Sequence, residues 1–92
     1  MDDGQFQWDD AKAASNYAKH GVRFEDARDV FKDPCAIELI DDREDYGEER
    51  FVLICMAGNR LLTVVYTLRS ERIRLISARG AEPHEQRHYH DG

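Results

Sequence analysis

Apolar residues recur along this chain with two different spacings, and the change between them divides it in two. In the first third the spacing is helical. The stretch WDDAKAASNYAKHGV predicts a helix from Asp10, with Asp9 as the capping acceptor and Trp8 closing over Ala13 as a hydrophobic staple. Ala14, Tyr17, Ala18 and Gly21 follow the three-and-four spacing of one buried stripe. Lys19 and His20 fall in the last turn, where cations complement the helix dipole, and Gly21 is a natural stop. A second short helix fits FEDARDVFKD, with Phe24, Ala27, Val30 and Phe31 on one side and Pro34 beyond its end.

From Cys35 the pattern shortens to runs rich in β-branched and aliphatic residues. CAIELI predicts a strand that ends in the acidic turn DDREDYGEE. RFVLICM, RLLTVVYTL and RIRLISAR predict three more, joined by AGN and RSE, and Pro83 can start a final helix, PHEQRHYH. The expected architecture is α+β, with two N-terminal helices, a four-stranded antiparallel sheet and a short C-terminal helix. The helices are expected to cover one face of that sheet. If Ser70 and Glu71 form a two-residue loop, Arg69 faces Arg72 and Thr67 faces Arg74 on one face, while Tyr66, Leu68, Ile73 and Leu75 share the other. Strict alternation then puts Arg79 with Leu75 on the apolar side; a bulge or a curling strand end would release it.

Charge sharpens this picture. Between Arg50 and Arg79 six arginines (50, 60, 69, 72, 74 and 79) stand against one acid, Glu71, a balance of +5. The formal net charge is −6, which leaves −11 for the remainder. Such a division suits a basic working face inside an acidic periphery. Ninety-two residues suggest a single domain spanning the whole chain, 1–92. The longest uncharged run, Phe51 to Asn59, falls far short of the roughly 20 residues a membrane span needs, and the N-terminus lacks the features of a secretory signal. Cys35 and Cys55 match no metal or redox spacing and are expected to be reduced core residues of a cytoplasmic protein.

Several pieces together, FQWDDAKAASNYAKHGVRFEDARDVF, EERF, VVYTLRSERIRLISARGA and the late Glu85 and Tyr89, resemble the BrnT-type toxins of bacterial type II toxin–antitoxin systems. The resemblance runs from Phe6 to Tyr89. It implies a RelE-like fold and endoribonuclease activity against mRNA that arrests growth. It also implies neutralisation by a cognate BrnA-type antitoxin of the ribbon-helix-helix kind, with DNA contacted only through that antitoxin. One departure is Gly80, which stands where the family usually has a further basic residue after ISAR and so weakens one phosphate contact.

Cleavage by attack of the 2′-hydroxyl needs a base, cations around the phosphorane and an acid for the leaving oxygen. No metal or cofactor is needed. Under this reading the catalytic candidates are Lys19, His20, Glu49, Arg50 and Arg79, and the RNA-binding candidates are Arg69, Arg72, Arg74 and Tyr89. An imidazole titrates near neutrality and suits either proton role, and guanidinium forks suit phosphate oxygens. Plainer readings stand beside these. Lys19 and His20 can simply end a helix, Arg79 can pair with Glu85 and Arg50 with Glu48 or Asp45, and Tyr89 can be a packing residue. The alternative function is a non-enzymatic module that binds RNA or protein. His84-Glu85-Gln86-Arg87-His88 also spells the H-E-x-x-H zinc pattern, but on a short polar helix without apolar neighbours to pack a catalytic site.

Overall fold

The computed structural model describes residues 1–41 and 47–91. Helix α1 runs Asp10–His20 between the expected signals. The Asp9 carboxylate accepts from the N–H groups of Ala11 and Lys12 at 2.8 and 3.1 Å, and these bonds hold its carboxyl below the usual range. Gly21 adopts the left-handed conformation at φ +69° and donates to the Tyr17 carbonyl at 2.8 Å.

The expected stripe on this helix is displaced. Ala14, Tyr17 and Ala18 are exposed, and the inward side carries Ala13 and Asn16 instead. The physical reason lies in how α1 docks. Asn16 Nδ2 donates to the carbonyls of Ala78 (2.8 Å) and Val22 (3.1 Å), and Asn16 Oδ1 accepts from the Ala78 N–H at 3.1 Å. One side chain thus stands in for a neighbouring strand, satisfying buried backbone groups that apolar contact could not.

The second helix is shorter than its pattern. Helix α2 covers Phe24–Ala27, and the chain continues as a 3₁₀ turn over Arg28–Lys32. Phe24, Ala27 and Val30 are all fully buried, so the spacing identified the right side chains.

The sheet has five strands, not four, and is mixed. A two-residue strand β1 (Phe6–Gln7) lies parallel to β5 (Arg72–Gly80); β4 (Arg60–Arg69), β3 (Arg50–Ala57) and β2 (Ile37–Asp41) follow in antiparallel succession, giving the order β1-β5-β4-β3-β2. Two residues are too few to show a period, which is why β1 escapes sequence patterns. The β4–β5 loop is the two-residue kind. Ser70 and Glu71 both take positive φ, 49° and 66°, matching the primed turn that strand twist favours. Arg69 pairs with Arg72, Thr67 with Arg74, Leu68 with Ile73 and Tyr66 with Leu75. Val65 then pairs with Ser77, which makes Ile76 an extra residue, and Arg79 comes to oppose Thr63.

The sheet face toward α1 and α2 builds the core. Leu53, Cys55, Leu62, Val64, Tyr66, Leu75 and Ala78 meet Phe6, Trp8, Val22 and Phe24 there. Phe31 packs edge-on against Phe6 (5.3 Å) and Tyr66 (5.1 Å). Cys55 sits in this core with its thiol pushed up to about 12 by burial and by Asp33, whereas Cys35 is exposed, contrary to expectation.

Helix α3 (Pro83–Asp91) departs from the expectation that all helices share one face. It lies across the opposite face. Glu85 reaches Arg79, and the Tyr89 hydroxyl donates to Asp33 Oδ2 at 2.7 Å. Ile54 and Thr63, on that same face, are only 1% exposed. An arginine and a threonine at one end of the sheet are therefore partly roofed.

Candidate active site

Strand register sorts the open face into rows. Arg79, Thr63, Ile54 and Ile37 form one row across four strands; Ser77, Val65, Val52 and Leu39 form the next. In the third, Arg74 opposes Thr67 and Arg50 opposes Asp41; continuing the β3–β4 ladder sets Arg50 beside Thr67. Arg69 and Arg72 end the face at the hairpin. A groove of about 290 Å³ lies along the middle row beside α3, lined among others by Leu39, Val52, Val65, Ser77, Arg79 and Glu85. It has an apolar floor with Arg79 and Glu85 at one side and Asp41 at the other. The register sets Arg50 and Arg74 in the row beyond, roughly four residues or about 13 Å from the Arg79 row along the strands.

Arg79 owes this position to the extra residue at Ile76, which shifts the alternation by one and turns its side chain away from the core. Its Nη1 and Nη2 donate to the two oxygens of Glu85 at 2.7 and 2.9 Å, and Nη1 also donates to the Gly80 carbonyl at 3.2 Å. Burial alone would raise the Glu85 carboxyl. The Arg79 fork and the Glu82 N–H outweigh it and hold the carboxyl below its ordinary value. Thr63 Oγ1, buried beside it, favours the ionised form too without completing a hydrogen bond. The guanidinium plane is thereby fixed while its side chain stays 31% exposed.

The remaining predicted residues fall into three groups. Arg50, Arg69, Arg72 and Arg74 share the open face, but as compensated charges. Glu48 lies 2.8 Å from Arg69 Nη2 and 3.7 Å from Arg50 Nε, Asp2 lies 2.7 Å from Arg72 Nε, and Gln7 accepts from Arg74 at 2.8 Å. Lys19 and His20 lie off this face. Because β1 runs parallel to β5 and Asn16 is clamped at Ala78, α1 advances with β5, so His20 comes toward the C-terminal end of that strand. Glu49 is exposed just before β3, with its carbonyl accepting from the Thr67 hydroxyl at 2.6 Å. Tyr89 is a tether for α3, its hydroxyl pushed up to about 12 by the bond to Asp33. The suggested partner Asp45 for Arg50 lies outside the described residues.

The zinc pattern is occupied otherwise. Glu82, His84 and Glu85 bring ligand atoms within 4.8 Å of one another. Both oxygens of Glu85, the residue that would activate water, are taken by Arg79. Sequence reasoning missed Asp41, Thr63, Ser77 and the apolar floor. Alternation would have found Thr63 and Ser77, given the position of the bulge.

A small α+β protein that sets cations around an apolar floor on an open sheet face has the chemistry to take up a phosphodiester. Residues 8–85 match the family described as "Ribonuclease toxin, BrnT, of type II toxin-antitoxin system". That match spans most of the chain, and the protein belongs to this family. RNA is accordingly its substrate class, and an antitoxin protein its partner. No relative among curated proteins matches it. Among the described residues no helix is long and apolar enough to cross a membrane.

Proposed function

We propose that this toxin is an endoribonuclease that cuts mRNA without a metal ion, in the groove between Arg79 and the Arg50–Arg74 row. The observation that carries this reading is the order of side chains across the open face: cation, apolar floor, cation. A base can lie on Leu39, Val52 and Val65 while its flanking phosphates meet the guanidiniums. In the reaction the 2′-oxygen attacks the adjacent phosphorus as its proton passes to a base. The bond from phosphorus to the 5′-oxygen breaks, and that oxygen takes a proton. The products are a 2′,3′-cyclic phosphate and a 5′-hydroxyl end. Arg79, aimed by Glu85, stabilises the charge gathering on the phosphorane.

Proton transfer depends on which row holds the scissile phosphate. A phosphate at Arg79 is approached from the end where Lys19 and His20 lie, and one at Arg50 from the end where Glu49 lies. Single variants His20→Ala and Glu49→Ala decide between them by which one removes a limb of the pH–rate profile. The antitoxin is proposed to be a ribbon-helix-helix protein that carries the complex to DNA.

The direct test is incubation of the purified protein with RNA in excess EDTA, followed by end-group analysis. Cleavage with cyclic-phosphate ends is the expected result. Cleavage lost on chelation would point back to the His84–His88 helix, and RNA left intact under every condition would replace the nuclease with a binding module.

A further inference from the structure

The end of the sheet beyond Arg79 carries a second feature. Gly80 is not in the left-handed region, so its backbone does not call for glycine. Space does. A Cβ there would lie 3.0 Å from Arg60 Nη2, with Nε and Cζ at 3.7 and 3.8 Å. The guanidinium of Arg60 is laid against the strand end where a side chain at position 80 would otherwise be.

Arg60 also differs from the arginines of the open face. Arg69, Arg72 and Arg79 each hold a carboxylate, and Arg74 holds a side-chain amide. Among the described residues no side-chain hydrogen bond or ion pair reaches the Arg60 guanidinium, in a chain with 19 acidic residues. It borders a cavity of about 440 Å³ between the β3–β4 turn and α3, together with Asn59, Gly80, Gln86 and His90; no carboxylate lines it. Asp26 and Asp29 do share a neighbouring cavity with Arg60, on the side of Gly21. The α3 side is the one open to an anion.

We infer that Arg60, seated in the slot left by Gly80, forms a phosphate subsite for a nucleotide flanking the cut. The inference rests on the nuclease reading only in its substrate. Gly80 follows Arg79 but faces the other side of the sheet, as Leu62 and Arg60 do, so a strand whose phosphate is held at Arg79 reaches Arg60 by rounding the end of β5 into this cavity. Asn59 and His90 supply further polar groups without opposing charge.

The test is binding of a 2′-O-methyl RNA oligonucleotide, which cannot be cut, across a range of salt. Arg60→Ala is expected to weaken affinity about tenfold near 0.1 M salt and to lower the salt slope by about 0.7, the value for one lost single-strand phosphate contact. Gly80→Ala adds a Cβ that only the flexible end of Arg60 must avoid, so it folds and weakens binding by a smaller factor. That effect is expected to vanish in the Arg60→Ala background, since the added methyl acts only by moving the guanidinium. An unchanged slope in Arg60→Ala, or an undiminished Gly80→Ala effect in the double variant, overturns the subsite. Neither result touches the nuclease reading, which is judged by cleavage in EDTA.

Discussion

At the scale of single residues, the Arg79–Glu85 pair links the candidate chemistry to stability. Glu85 has a carboxyl lowered in the folded chain, so its contribution is present above the ordinary carboxyl value of 4.5 and is lost as pH falls through the folded value. Glu85→Gln should therefore flatten the acid limb of a stability-versus-pH curve followed by chemical denaturation. At neutral pH it should cost about 2 kcal/mol, the scale of a charge-assisted hydrogen bond lost from a mostly buried partner. Arg79→Ala should leave a folded protein with RNA cleavage reduced about 100-fold or more and cell killing abolished. Full toxicity at equal expression would move the site elsewhere. Asn16 deserves equal weight although it touches no substrate. Asn16→Ala strands the Ala78 N–H and carbonyl in the interior, and should cost about 3 kcal/mol in urea denaturation.

Among the elements, the hairpin β4–β5 was the most legible from sequence. Pairing Arg69 with Arg72 follows from Ser70-Glu71 as a two-residue loop and from the alternation of Thr67, Leu68, Ile73 and Arg74. The loop itself is poorly chosen for its conformation, since left-handed backbone costs a non-glycine residue about 1–2 kcal/mol. Replacing it by Ser70→Asn with Glu71→Gly should raise the melting temperature, with a gain of about 1 kcal/mol. Less legible were the elements held by single polar contacts. The inward side of α1 is set by an asparagine among alanines, and a hydrophobic count therefore pointed to Tyr17, which is 48% exposed. The place of α3 is set by Arg79–Glu85 and Tyr89–Asp33, contacts between segments far apart in sequence. Arg79 and Glu85 were legible as a pair, but not the face on which they meet.

For the whole molecule, the uneven charge of the sequence takes a definite form in space. The basic segment Arg50–Arg79 is folded back on itself so that five of its six arginines, all but Arg60, reach one sheet face, while acids from the N-terminus, from Glu48 and from α3 come to meet them. Such compensation should keep random nucleic acid binding weak and strongly dependent on salt. We propose that the acidic stretch 41–49 limits background RNA binding and adds antitoxin contacts; the test is to reverse its charges and measure antitoxin affinity and background RNA binding. Unchanged values for both would dismiss that role.

The extra residue in β5 makes function here a matter of parity. A strand knows only odd and even: because the bulge takes Ile76 out of the count, position 79 falls on the watered side, and if Ile76 were counted in an unbroken ladder the same arginine would fall among the interior residues. Deletion of Ile76 should therefore leave the toxin active, whereas one alanine inserted between Ser77 and Ala78, a change that leaves the chain's charge untouched, should turn Arg79 inward and silence it.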